Sequence, residues 1–205
     1  MSYEKLDNLL NEYTDYLNTM QKWNLKIDSY EVYGIKTPQK IVSSLKKFNA
    51  ATNFIIINSE CIVIANSFDL SDQYLHKIFF AKAVFRVIHE TFVLLKEYNQ
   101  ILFKNDEHPV EGKIAKKHLN TFMKNYDEAY IKKIRDNTGS HYNKDFREHF
   151  EIMRSIDLTK TNKMFMDFLE EINKMTIYLT TYVLIDSKES QELNEYLKYV
   201  ESKLP

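Results

Sequence analysis

Three glycines (Gly34, Gly112, Gly139) and three prolines (Pro38, Pro109, Pro205) are all that 205 residues offer for breaking a regular backbone. Sheets need frequent tight turns, and tight turns draw on glycine and proline. A chain so poor in both is left with a few long helices, and the expected class is all-α. Apolar residues make up 44% and charged residues 28%, enough of the first to fill a core and of the second to coat it. One large domain spanning 1–205 suits that length.

Apolar periodicity places the helices. Leu6, Leu9, Leu10, Tyr13, Tyr16, Leu17, Met20 and Trp23 recur at steps of three and four, which predicts a helix over 3–25. Thr37 as N-cap and Pro38 in the first turn open a second helix towards Asn66. Its later half contains Phe54-Ile55-Ile56-Ile57 and Ile62-Val63-Ile64, which have strand propensity. Helix is nonetheless expected there, because Phe54, Ile57, Cys61, Ile64 and Phe68 keep a 3-4-3-4 rhythm. Ser71 is the expected cap of a third, broadly apolar helix to about Lys104. Pro109 starts a fourth that runs unbroken to roughly Asn137, where Gly139 stops it. A short helix over 144–155, a long one over 160–185, and a last one to Lys203 capped by Ser187 or Ser190 complete an up-and-down bundle with short connections. No internal repeat or flexible linker interrupts it.

Several functional classes are disfavoured. A net charge of −1 gives no global pull on nucleic acid, so any such contact is local. Cys61 is the only cysteine, which leaves no disulfide framework or thiolate metal site and fits a reducing cytoplasm. The first residues lack a basic segment followed by an apolar one, and no run approaches eighteen uninterrupted apolar residues, so neither secretion nor a membrane is expected. Asp72 and His76 stand four apart without further ligands, and no metal is expected. Ser140, His141 and Asp145 have triad residue types but lie too close in sequence to align as nucleophile, base and orienter. His108, His118 and His149 read as surface residues, and the tyrosines and phenylalanines as core.

One stretch looks chemical. In Ile134-Arg135-Asp136-Asn137-Thr138-Gly139-Ser140-His141-Tyr142, an arginine and a histidine flank polar spacers at a predicted helix end. An imidazole titrating near pH ~6.5 can take or deliver a proton at physiological pH. A guanidinium fork matches the non-bridging oxygens of a phosphate. Together they supply what attack of a ribose 2′-hydroxyl on its neighbouring phosphate requires, with no metal or other cofactor. Lys113, Lys116, Lys117, Lys124, Lys132 and Lys133 on the preceding segment can guide a phosphate backbone locally.

Arg135, the polar Asp136 and His141, late in an all-helical chain, resemble the signature of the HEPN superfamily, in which an arginine, four to six residues and a histidine sit where a bundle helix ends. The resemblance implies a HEPN-type core over about 71–186, with residues 1–66 as N-terminal helical elaboration and 187–205 as a C-terminal helix. It implies a metal-independent endoribonuclease, with His141 as general acid or base, Arg135 as phosphate clamp and a composite site across a two-fold homodimer. It further implies a toxin or antiviral-defence effector acting on RNA, with an antitoxin or regulatory protein as a possible partner. Asp136 and Asn137 are candidates to orient the arginine or contact the ribose, and Glu90 to support Arg135 from the third helix beside Arg86 and His89. An Arg86 to Glu90 pair within that helix is the plainer expectation. Tyr142 adjoins His141, whereas the tyrosine modified in some family toxins stands two residues after the histidine, where this chain has Asn143. The alternative reading is a catalytically inactive helical module that binds a partner protein or nucleotide, and beyond it a purely structural bundle.

Overall fold

The computed structural model describes residues 3–70, 73–103, 108–138 and 146–203. Among them are eight α-helices and no strand: α1 (Tyr3–Val32), α2 (Gln39–Leu70), α3 (Tyr74–Phe103), α4 (Pro109–Asn125), α5 (Glu128–Thr138), α6 (Phe146–Arg154), α7 (Leu158–Tyr178) and α8 (Lys188–Glu201). A π-helical segment, Leu179–Ile185, links α7 to α8. The all-α expectation holds, including over the Ile-rich half of α2.

Neighbouring helices run antiparallel, as cross-helix pairs show. Tyr13 meets Asn58 and Trp23 meets Phe48 between α1 and α2. Arg86 reaches Glu60 between α3 and α2, and His118 meets Glu171 between α4 and α7. α8 folds back over both N-terminal helices through Lys47–Glu189 and Lys26–Glu201. α2 is therefore a central member, packing on α1, α3, α7 and α8. By length and composition its Gln39–Ser67 stretch is apolar enough to cross a membrane, but 56% of its most apolar window is buried inside the bundle, as in a core helix. Within it Asn58 is fully buried and donates to the Tyr13 hydroxyl at 2.8 Å, while burial pushes that phenol up to about 12. Cys61 is also fully buried, and burial raises its thiol pKa, which suits a packing role.

The structure corrects several boundaries. The first helix continues to Val32, and Gly34 follows with φ +75°, a left-handed turn that glycine adopts without strain. Thr37 does not cap α2, since its hydroxyl is buried without a partner and the Pro38 carbonyl accepts the first amides, from Ile41 and Val42. Ser71 lies outside the described residues, as do Gly139 and Ser140. The expected fourth helix splits in two. Tyr126 turns extended (φ −127°, ψ 136°), its ring packs 4.7 Å from Phe122 and its hydroxyl donates to Asp167, while Asp127 accepts the Ala129 amide to begin α5. The helix over 160–185 is regular only to Tyr178. There the Thr180 hydroxyl donates to the carbonyls of Thr176 and Ile177, and Asp186 closes a five-residue turn onto Thr181. Ser187, not Ser190, caps α8.

Candidate functional site

α5 carries most of the candidate site because its sequence is two-faced. Ile131 and Ile134 are buried, while Lys132, Lys133 and Asp136 are exposed. Arg135 falls in the last turn, where a helix end carries partial negative charge and favours a cation. Its side chain is 36% exposed, and Nη1 donates to Oδ1 of Asp136 at 2.7 Å. That hydrogen bond, more than anything else, holds the Asp136 carboxyl below its ordinary range. Asp136 takes one of the five donors that a guanidinium carries. Asn137 turns back on its own helix, Nδ2 donating to the Lys133 carbonyl at 2.8 Å, which is the helix-closing role of such a residue.

The remaining nominated residues are distributed differently. His141 and Tyr142 lie outside the described residues, together with Asn143 and Asp145. Glu90 is half-buried on α3 and makes no ion pair with Arg135 among the described residues. The intrahelical Arg86 to Glu90 pair is also absent, because Arg86 reaches across to Glu60 on α2 at 3.3 Å. A long arginine at an interhelical groove has the reach for either carboxylate, and tertiary packing selects the one on the facing helix. The lysines do not form one continuous face. The break at Tyr126 places Lys113, Lys116, Lys117 and Lys124 on α4, and Lys132 and Lys133 on α5.

His118 and His108 are not idle surface residues. His118 Nδ1 lies 2.7 Å from Glu171 Oε2, and the His108 ring packs on Tyr182 with centroids 4.7 Å apart. The more consequential histidine is His89. It is buried in α3, and its Nδ1 has no hydrogen-bond partner. Its pKa is lowered first by that burial and then by Arg135, against the opposing pull of Asp136 and Glu128 and with a further push from Lys132. Burial and the nearby positive charge thus both favour the neutral imidazole at His89. In sequence His89 stands beside Glu90, and the carboxylate is the more obvious partner for an arginine. The available signal was position, since His89 adjoins Phe85, Ile88 and Phe92 on the buried face of α3.

Among the described residues no cluster of three or more His, Cys, Asp or Glu side chains is placed to hold a metal ion. The arrangement that is present suits an anion: a guanidinium at a helix end, oriented by an acidic neighbour. Comparison with family models, curated proteins and solved structures finds no match to the chain.

Proposed function

We propose that this chain is a HEPN-type, metal-independent endoribonuclease in which Arg135 grips the scissile phosphate and His141 transfers protons. The observation that carries this reading is the state of Arg135, which is half-exposed at the end of α5 and held by Asp136 at 2.7 Å. A bidentate clamp needs a guanidinium that is fixed yet reachable, and these contacts favour both conditions. Cleavage through the 2′-hydroxyl makes RNA the substrate and leaves DNA intact. Two proton transfers served by one histidine per motif favour a homodimer with a shared site. Such an activity suits a cytoplasmic toxin or antiviral effector under the control of a partner protein.

The test is cleavage of labelled RNA in EDTA. Wild type is expected to cut, and Arg135→Ala to lose about 100- to 1000-fold, with His141→Ala comparably impaired. The thermal midpoint of Arg135→Ala should stay within a degree or two of wild type, because the side chain is partly exposed. Cleavage that persists undiminished in both variants overturns the site. Failure of the wild type to cut any RNA favours the inactive binding module. A monomer with full activity in sedimentation removes the shared-site arrangement.

A further inference from the structure

A cavity of about 530 Å3 opens beside α5, between its first turn, the start of α7 and Phe85 of α3. Nothing in the phosphate-clamp reading uses it. Its apolar walls are Phe85, Ile131 and Met164, all buried. Two tyrosines add flat faces whose positions are set by other contacts. Tyr130 meets Phe85 edge-on, with centroids 5.8 Å apart at 77°. Tyr126 is anchored through its hydroxyl to Asp167 and packs on Phe122. Rings held this way lose little freedom when a planar ligand stacks on them.

The polar lining carries both signs. Asp127 and Asp157 each accept a backbone amide, from Ala129 at 2.8 Å and Lys160 at 3.0 Å, and each carboxylate retains further acceptor capacity. Lys160, whose ammonium stands 3.8 Å from Asp157 Oδ2, and Lys163 line the same cavity. Flat apolar faces, carboxylate acceptors and cations converging on one space match a planar base with N–H donors that is joined to a phosphate. Guanine fits best, since its ring N–H and exocyclic amine lie side by side and meet the two oxygens of one carboxylate. The volume lies within the range of pockets that hold ligands of nucleotide size.

Location ties the cavity to the candidate site. Ile131, in its wall, precedes Arg135 by four residues on α5, which is one helical turn along the same side. One turn advances about 5.4 Å, comparable to the step between successive nucleotides of an extended strand. We infer that this cavity is a purine-nucleotide subsite that seats the base next to the phosphate held by Arg135. The placement beside the phosphate rests on the ribonuclease reading, whereas the ligand class rests on the cavity alone.

Calorimetric titration with GMP and UMP tests the ligand class. GMP should bind saturably and about tenfold tighter than UMP, and Tyr130→Ala and Lys163→Glu should each weaken GMP by about tenfold or more. Both side chains are exposed, so thermal midpoints within about 4 °C of wild type will show that the variants fold. No binding of GMP to wild type, or equal binding by wild type and both variants, overturns the subsite. Competition between GMP and a guanine-containing RNA pentamer on the Arg135→Ala chain supports placement on the RNA path, and its absence overturns that placement. The two readings fail separately. If GMP binds as expected while Arg135→Ala cuts RNA like wild type, the subsite stands and the clamp falls. If Arg135→Ala is inactive while Tyr130→Ala keeps wild-type KM and base preference, the clamp stands and the subsite falls.

Discussion

Between α4 and α7, His118 lies 2.7 Å from Glu171, Tyr126 donates to Asp167, Phe122 and Phe168 pack 5.2 Å apart, and Gly112 lets the helix approach Tyr178. Around α5, by contrast, His89 of α3 keeps a buried nitrogen without a partner, Arg135 pairs with its own sequence neighbour, and a cavity opens towards the start of α7 past Tyr130 and Ile131. The first joins charged, polar and aromatic groups directly across the interface. The second is joined by Lys96 and Glu128 at 2.5 Å, yet it leaves the His89 nitrogen unmatched and borders an unfilled cavity, each at a cost in stability.

The contrast can be broken most directly by truncating one aromatic on each side. Phe168→Ala should cost about 3–5 kcal/mol in chemical denaturation, because the ring is fully buried in the closed pair. Tyr130→Ala, at 42% exposure beside the cavity, should cost about 1 kcal/mol or less. Equal losses would mean that the two interfaces are packed alike.

A smaller effect is expected at Gly112. A Cβ there would stand 3.0 Å from the Tyr178 hydroxyl and 3.1 Å from the Phe103 carbonyl, and the second of these is backbone. Gly112→Ala should therefore destabilise by about 1–3 kcal/mol despite its better helix propensity. A stabilised variant, seen as a raised thermal midpoint, would show that α4 is free to shift away from α7.

The smallest effect, and the most diagnostic, concerns His89. Unfolded, its imidazole takes up a proton near the ordinary value of 6.5, and folded it does so only at lower pH. Between those values the unfolded chain binds more protons, so stability falls as pH drops below about 6.5 and is unaffected by this group above it. His89→Leu should change stability by less than about 1 kcal/mol at pH 8, since it removes a buried nitrogen that has no partner. Denaturation at pH 5 should then find the variant more stable than wild type. A loss beyond about 2 kcal/mol at pH 8 would mean the imidazole is structurally bonded. The depressed Asp136 carboxyl acts in a separate window, since its contribution is present above its ordinary value of 3.8 and is lost as pH falls below that.

Periodicity was a sufficient guide to most helices, since a stripe such as Tyr13, Met20 and Ile27 has one way to be buried. It failed at Tyr126, where no glycine or proline marks the break and the turn exists because a tyrosine finds Asp167 on another helix. It failed again at Leu179, where local hydroxyls redirect the backbone into a π turn. Within the candidate site, Arg135 and Asp136 were legible because their chemistry is local to one helix end. His89 was not, because a histidine on an apolar stripe reads as core until the facing helix is known.

Taken alone, the order of residues settled that this chain is helical and where most of its rods begin, because backbone preference and apolar spacing act over a few neighbouring positions. Which carboxylate Arg86 meets, which histidine is buried without a partner for its nitrogen, and where a cavity with tyrosine walls opens were decided only when distant segments packed. Those outcomes depend on side chains far apart in the chain competing for the same space and the same hydrogen bonds, and no local rule encodes that competition.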